Sequence, residues 1–164
     1  MTANTTIIKV GIISPRTYSL GGHDVASKER VHMKEQIVRI LKSLIRPEHI
    51  LIGLTGLSIG VETDFAEICL EQKMDYITYL AFSDITSRWR KLPESYQIQY
   101  SNLLNKSLNN ILLAEGLYSP RKIFRQQLRI AHDADVLILV NTPMKTYEYL
   151  EKYQGHKQIF NLSL

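Results

Sequence analysis

Two glycines four positions apart, Gly56 and Gly60, are followed at once by a carboxylate, Glu62, and then by a second, Glu67. Glycines so placed let a ligand come close to the backbone, and a helix opening at this point would turn its first free N–H groups towards an anion. Glu62 would lie in the first turn of that helix, placed to accept from a ribose hydroxyl or to orient a catalytic water; Glu67, five residues on, falls on a different face. The same residues also suit a tight strand-to-helix turn in which a glutamate answers the helix dipole, and both readings stay open. This is not a P-loop, because the Gly-Lys-Ser/Thr ending is missing, and the spacing is not Gly-x-Gly-x-x-Gly, so neither an NTPase nor a dinucleotide oxidoreductase follows. Ser58 has no Gly-x-Ser-x-Gly elbow around it, which leaves a hydrolase triad unsupported. His23, His32, His49, His132 and His156 show no metal-ligand spacing, and Cys69 stands alone, so neither a metal site nor an internal disulfide is expected.

The elements that would position these residues are an alternation of short β-branched runs with longer segments of helical period, the pattern of an α/β domain with a mostly parallel sheet. Ile7 to Ile13 reads as the first strand, followed by a loop with Gly21-Gly22. Ile37, Ile40, Leu41, Leu44 and Ile45 form one helical stripe, ended by Pro47. His49 to Leu54 is a second strand, Val61 to Lys73 a helix and Asp75 to Ala81 a third strand. Pro93 suits the first turn of a helix carrying Tyr96, Tyr100, Leu103, Leu104 and Leu108 on one side, with Ile111 to Ala114 as strand four. Ser119 and Pro120 read as N-cap and first residue of a helix running to about His132. Asp135 to Val140, a helix from Pro143 to Tyr153 and a strand near Gln158 to Leu162 complete one domain over residues 1–164.

In such sheets ligands bind beyond the carboxyl ends of the strands, which narrows the search to five loops: Ser14 to Asp24, Thr55 to Glu62, Phe82 to Lys91, Glu115 to Arg121, and Asn141 to Pro143. Trp89, Phe82 and Tyr118 lie there and would stack on a base or cover the core. Arg88 to Lys91 (with Trp89 between) and the row Arg121, Lys122, Arg125, Arg129 are basic, suited to phosphate or to a solvated helix face.

At 164 residues, 45% hydrophobic and 22% charged, the chain is long and apolar enough for one core, which excludes disordered and disulfide-stapled classes. A net charge of +4 is mild for a nucleic-acid binder and suits an anionic small-molecule pocket. Its apolar run from Ile50 to Leu54 is far short of the roughly 18 residues a membrane span requires. Met1 to Thr6 lacks a basic n-region, so a soluble, cytoplasmic protein is expected.

Taken in order, these motifs resemble the SLOG superfamily, which includes the Lonely Guy enzymes, DNA-processing protein A and, as the branch most like this chain, the YpsA-like proteins. That branch carries Thr-Gly-His-Arg-Pro and then Leu-Gly-Gly-Tyr-Asp after its first strand; Arg16, Leu20, Gly21, Gly22 and Asp24 match at the same spacing. Its Gly-Met-Ala-Leu-Gly-Val-Asp block, followed by Ala-Glu, is similar to Gly56-Leu57-Ser58-Ile59-Gly60-Val61-Glu62 and Ala66-Glu67. Trp89, Tyr100, Leu103-Leu104, Tyr118-Ser119-Pro120 and Asp135-Val136-Leu137 also fall where the branch has them. The chain departs at Ser14-Pro15 for Gly-His, at Gln126-Gln127 for Arg-Asn, and at Asn141-Thr142-Pro143 for Gly-Gly-Thr; the Pro-Gly-Gly-x-Gly-Thr-x-x-Glu of the phosphoribohydrolases is absent.

The resemblance implies a Rossmann-like three-layer domain binding a nucleotide or ADP-ribose-type ligand. The ligand residues it points to, with the loops above, are Arg16, Gly21, Gly22, Gly56, Ser58, Gly60, Glu62, Trp89, Tyr118, Ser119, Arg121, Asn141 and Thr142. Because three ligand-side elements have changed on a retained scaffold, the expectation is a sensor or sequestering protein without turnover, needing no cofactor and no membrane. The alternatives are an N-glycosidic or phosphate hydrolase using Glu62, with Glu67 as a second carboxylate, and a single-strand nucleic-acid binder drawing on the basic runs. A homo-oligomer is a further expectation from the resemblance.

Overall fold

The structure is a computed structural model describing residues 4–14, 27–84, 93–142 and 157–163. Six strands form one sheet: β1 (Thr6–Ile13), β2 (His49–Thr55), β3 (Asp75–Leu80), β4 (Asn109–Leu112), β5 (Val136–Val140) and β6 (Gln158–Leu162). Their order is β4-β3-β2-β1-β5-β6 and every pairing is parallel. Four described helices are α1 (Lys28–Leu44), α2 (Val61–Glu71), α3 (Glu94–Lys106) and α4 (Pro120–Asp133).

Side-chain alternation sorts the helices onto the two faces. Val136, Ile138 and Val140 of β5 join Val10 and Ile12 of β1 in a core with α1, α2 and α3. The intervening Leu137 and Leu139 join Ile13, Leu54 and Tyr79 against Ile130 and Ala131 of α4. A strand buried on both sides has no polar face to show, which is why β5 reads as an uninterrupted apolar run. Helices on both faces of a parallel sheet make the three-layer, Rossmann-like arrangement that the sequence leads one to expect.

Close packing of α2 on the sheet depends on Gly53. A Cβ there would stand 2.7 Å from Cys69 Sγ and 3.0 Å from Phe65 Cε1, and both side chains are wholly buried. Gly53→Val is therefore expected to lower stability by about 1–3 kcal/mol through overpacking, read as a fall in the urea midpoint at constant slope.

Several boundaries differ from the sequence expectation. β4 spans Asn109–Leu112, not Ile111 to Ala114: it lies at the sheet edge, where Asn109 pairs with Ile77 although its side chain is exposed. Pro93 is the N-cap of α3, one position before the helix. Leu108 lies beyond α3 and is exposed, so it is not part of that helix's buried stripe. α2 ends at Glu71, after which Lys73 takes a left-handed φ of 57°. Asp135 precedes β5 and its carboxylate accepts from the Lys9 N–H at 2.9 Å. The helix expected over Pro143 to Tyr153 falls outside the described residues.

None of the described helices is long and apolar enough to cross a membrane.

Candidate functional site at the turn between β2 and α2

The chain builds outward from β1 to β4 and then crosses back to β5 on the other side of β1, so the order reverses beside β1. Ligand crevices of open α/β sheets form at such reversals, beyond the carboxyl ends of the strands. The turn from β2 into α2 stands at that edge, on the strand next to β1.

Its backbone is held in conformations side chains disfavour. Gly60 has φ 119° and ψ −121°, a region essentially confined to glycine, and is the N-cap of α2. Leu57 is left-handed with φ 56° yet almost wholly buried, which costs about 1–3 kcal/mol that the surrounding contacts must offset. Those contacts are apolar at the side chain, which lies in the core with α1 and α2, and polar at the backbone. The Leu57 N–H donates to Thr55 Oγ1 at 3.1 Å, and that hydroxyl donates to the Glu62 carbonyl at 3.1 Å. The Gly60 N–H donates to Thr63 Oγ1 at 3.0 Å.

Glu62 folds back beneath this turn. Its Oε1 accepts from the Gly56 N–H at 3.2 Å, and only 6% of the residue is exposed. Burial pushes its carboxyl up to about 7, against the opposing hydrogen bonds from the Ser58 hydroxyl and the Gly56 amide. A carboxyl poised near neutral pH in the first turn of α2, at the carboxyl edge of the sheet, can accept a hydrogen bond from a hydroxyl when ionised or donate one when protonated.

Gln126 of α4 supports the turn from below. It is 3% exposed, and its Nε2 donates to the Tyr79 carbonyl at 2.6 Å and, at a long 3.5 Å, to that of Gly56. A Cβ on Gly56 would stand 2.6 Å from Gln126 Cδ, so this glycine makes room for the amide. The sequence marks Gln126 as a departure from the branch; the fold makes it the link between α4, the end of β3 and the candidate loop. Gln126→Ala is expected to cost about 1–3 kcal/mol by leaving a buried carbonyl unpaired, measured by chemical denaturation.

A second buried contact joins the first turns of α1 and α2. Arg30 donates from Nε and Nη2 to Asp64 Oδ2 at 3.0 and 2.5 Å, and Lys34 Nζ stands 3.9 Å from Oδ1. Burial raises the Asp64 carboxyl above its ordinary value and the Arg30 guanidinium opposes that shift.

Of the residues named from sequence, Gly56, Ser58, Gly60 and Glu62 come together in this one turn. Glu67 does not: it accepts from Gln99 Nε2 at 2.9 Å and lines the groove between α1 and α2, so the pairing of Glu62 with Glu67 as two carboxylates of one site is corrected. Ser119 caps α4 through the Lys122 N–H at 3.2 Å, as its position in the sequence leads one to expect. Tyr118 meets Phe82 edge to face, with ring centroids 5.8 Å apart. Arg121 lines a shallow depression with Pro120, Phe124 and Arg125. Asn141 takes a left-handed φ of 45° directly after β5, and Thr142 Oγ1 lies 3.5 Å from the Val140 carbonyl. Arg16, Gly21, Gly22, Asp24 and Trp89 lie outside the described residues. Among the described residues no group of three or more His, Cys, Asp or Glu comes together to hold a metal ion.

Comparison with known proteins adds two findings. The chain is 29% identical to a UPF0398 protein of Lactobacillus delbrueckii subsp. bulgaricus over 167 aligned residues, 95% of this chain and 88% of that one. Its fold is similar to that of DNA processing protein A from Streptococcus pneumoniae, with a TM-score of 0.62 and 16% identity over 96% of this chain and 51% of that one. This chain thus spans about half the length of that structure, and at such identity the likeness concerns the fold alone. No family model matches the sequence. The chain is thus similar in sequence to the UPF0398 protein and shares the Rossmann-like fold of DNA processing protein A, and both likenesses fit the resemblance to the YpsA-like branch of the SLOG superfamily.

Proposed function

We propose that this protein binds a nucleotide-derived ligand, of the ADP-ribose or cyclic-nucleotide kind, at the carboxyl edge of its sheet, and holds it without turnover as a sensor or sequestering protein. The observation that carries this reading is Glu62: a buried carboxyl under a glycine-framed turn beside the strand reversal, with a value near neutral pH. A ribose hydroxyl is the natural partner for such a group. The Gly56, Leu57 and Gly60 amides are already engaged by Glu62, Thr55 and Thr63, so the turn is held rigid and these three N–H groups are not the free anion donors expected from the sequence; recognition falls to the Glu62 carboxyl. Arg121, at the start of α4, contributes positive charge on the same edge.

A second reading, hydrolysis of an N-glycosidic or phosphate bond with Glu62 as general base, is favoured by the same raised carboxyl value. Titration calorimetry with ADP-ribose, followed by chromatography of the recovered ligand, separates the two. Binding by the wild type, weakened about tenfold or more in Glu62→Gln and with ligand recovered intact, supports the binder. Conversion of the ligand that stops in Glu62→Gln transfers the assignment to the hydrolase.

A further inference from the structure

Arg30 brings more hydrogen-bonding capacity into the interior than the described residues return to it. It is 2% exposed, its Nε and Nη2 share the single oxygen Asp64 Oδ2, and Nη1 is buried with no hydrogen-bond partner. The guanidinium is planar with its donors in a fixed fork, so turning the Nε–Nη2 edge towards Asp64 aims Nη1 away from that carboxylate. The remaining Asp64 oxygen faces Lys34 at 3.9 Å. Two cations therefore share one carboxylate, while nearby Glu67 is hydrogen-bonded to Gln99.

The place matters as much as the charge. Arg30 is the third residue of the 17-residue α1 and Asp64 the fourth of the 11-residue α2. α1 ends shortly before β2 begins and α2 starts directly after the β2 turn, so both helices run back along the sheet with their N-termini at its carboxyl edge. Two positive dipole ends lie there, joined by the Arg30–Asp64 pair, whose guanidinium keeps one N–H group unpaired.

We propose that Arg30 anchors an anion subsite between the N-termini of α1 and α2, taking one phosphoryl group of the ligand through Nη1. This deepens the proposed function and rests on it: a nucleotide-derived ligand of this kind carries phosphate or pyrophosphate. A buried charged donor without an acceptor is unfavourable, and a phosphoryl oxygen removes that cost on binding.

The probe is pyrophosphate, added to the whole chain against sodium chloride at matched ionic strength, with binding read by calorimetry and thermal shift. Wild type is expected to show saturable stabilisation by pyrophosphate beyond that of chloride. Arg30→Lys keeps the charge but loses the fork, and its affinity is expected to fall about tenfold or more. Asp64→Asn frees the guanidinium and is expected to bind pyrophosphate at least as tightly as wild type, even though the fold is less stable. Equal stabilisation by pyrophosphate and chloride, an affinity unchanged in Arg30→Lys, or a loss in Asp64→Asn as large as that in Arg30→Lys each overturn the subsite. If Asp64→Asn does not fold, the comparison of wild type with Arg30→Lys decides. ADP-ribose binding that ignores Arg30 overturns the subsite alone; Arg30-dependent pyrophosphate binding without nucleotide binding overturns the nucleotide reading alone.

Discussion

Asp64→Ala is expected to lower the unfolding free energy by about 3–5 kcal/mol, because it strands the Arg30 guanidinium in the interior without its counter-charge. Both side chains are almost fully enclosed, at 3% and 2% exposure, so water cannot replace the lost carboxylate. Lys34, the other cation at Asp64, is a third exposed and can swing into solvent, whereas Arg30 cannot. A contrast within the same protein checks the reasoning. Arg129 pairs with Asp133 at 2.9 Å but is half exposed, so Arg129→Ala is expected to cost less than about 1 kcal/mol. Replacing both buried partners with apolar residues, as in Arg30→Met with Asp64→Leu, should recover much of the Asp64→Ala loss, since neither charge then remains to be compensated. Urea denaturation measures all four proteins; an Asp64→Ala cost within 1 kcal/mol of the Arg129→Ala cost contradicts the account.

Glu62→Gln is expected to act in the opposite direction and stabilise the protein above neutral pH. The native carboxyl value is raised from 4.5 to about 7 by burial, so between those limits the folded protein binds more protons than the unfolded chain. Stability due to Glu62 is therefore fully present below about pH 4.5, falls as pH rises towards 7 and levels off above it. At about 1.4 kcal/mol per unit the ionised carboxylate costs at most about 3 kcal/mol at pH 8, and glutamine, which keeps an acceptor for the Gly56 N–H, avoids that cost. Every other ionisable group is common to both proteins, so its contribution cancels in the difference. Measured from pH 4.5 to 8.5, the gap between variant and wild type should open across this window. A flat difference shows that Glu62 ionises in the native protein as it does in the unfolded chain. A group that costs stability while ionised, placed at the carboxyl edge of the sheet, is what the proposed binding role leads one to expect of a site kept for function rather than for folding.

These two residues also show what the sequence reveals and what it hides. Gly56, Gly60 and Glu62 are legible because a strand-to-helix turn is local: the glycines, the first helical residues and the carboxylate fall within seven positions of one another. β5 is legible because burial on both faces leaves an unbroken apolar run. β4 is displaced because the apolar Ile111 to Leu113 run outweighs the asparagines in the sequence, while an edge strand accepts exposed Asn109 and Asn110. Gln126, Arg30 and Asp64 carry no local signal. Gln126 reaches Gly56 across 70 positions and Arg30 reaches Asp64 across 34, so their roles arise only once α4 and α1 have packed. The glutamine at position 126 thus reads as a lost motif in the sequence and as a supporting contact in the fold.

The most direct test of the central claim is a thermal-shift panel of ADP-ribose, NAD, AMP and cyclic dinucleotides on the wild-type protein, with each ligand analysed by chromatography afterwards. A ligand at about 100 times its dissociation constant should add about 2.7 kcal/mol, or roughly 5–10 °C in Tm for a chain of this size. The account predicts such a shift for at least one of these compounds, recovered unchanged; no shift from any of them contradicts it.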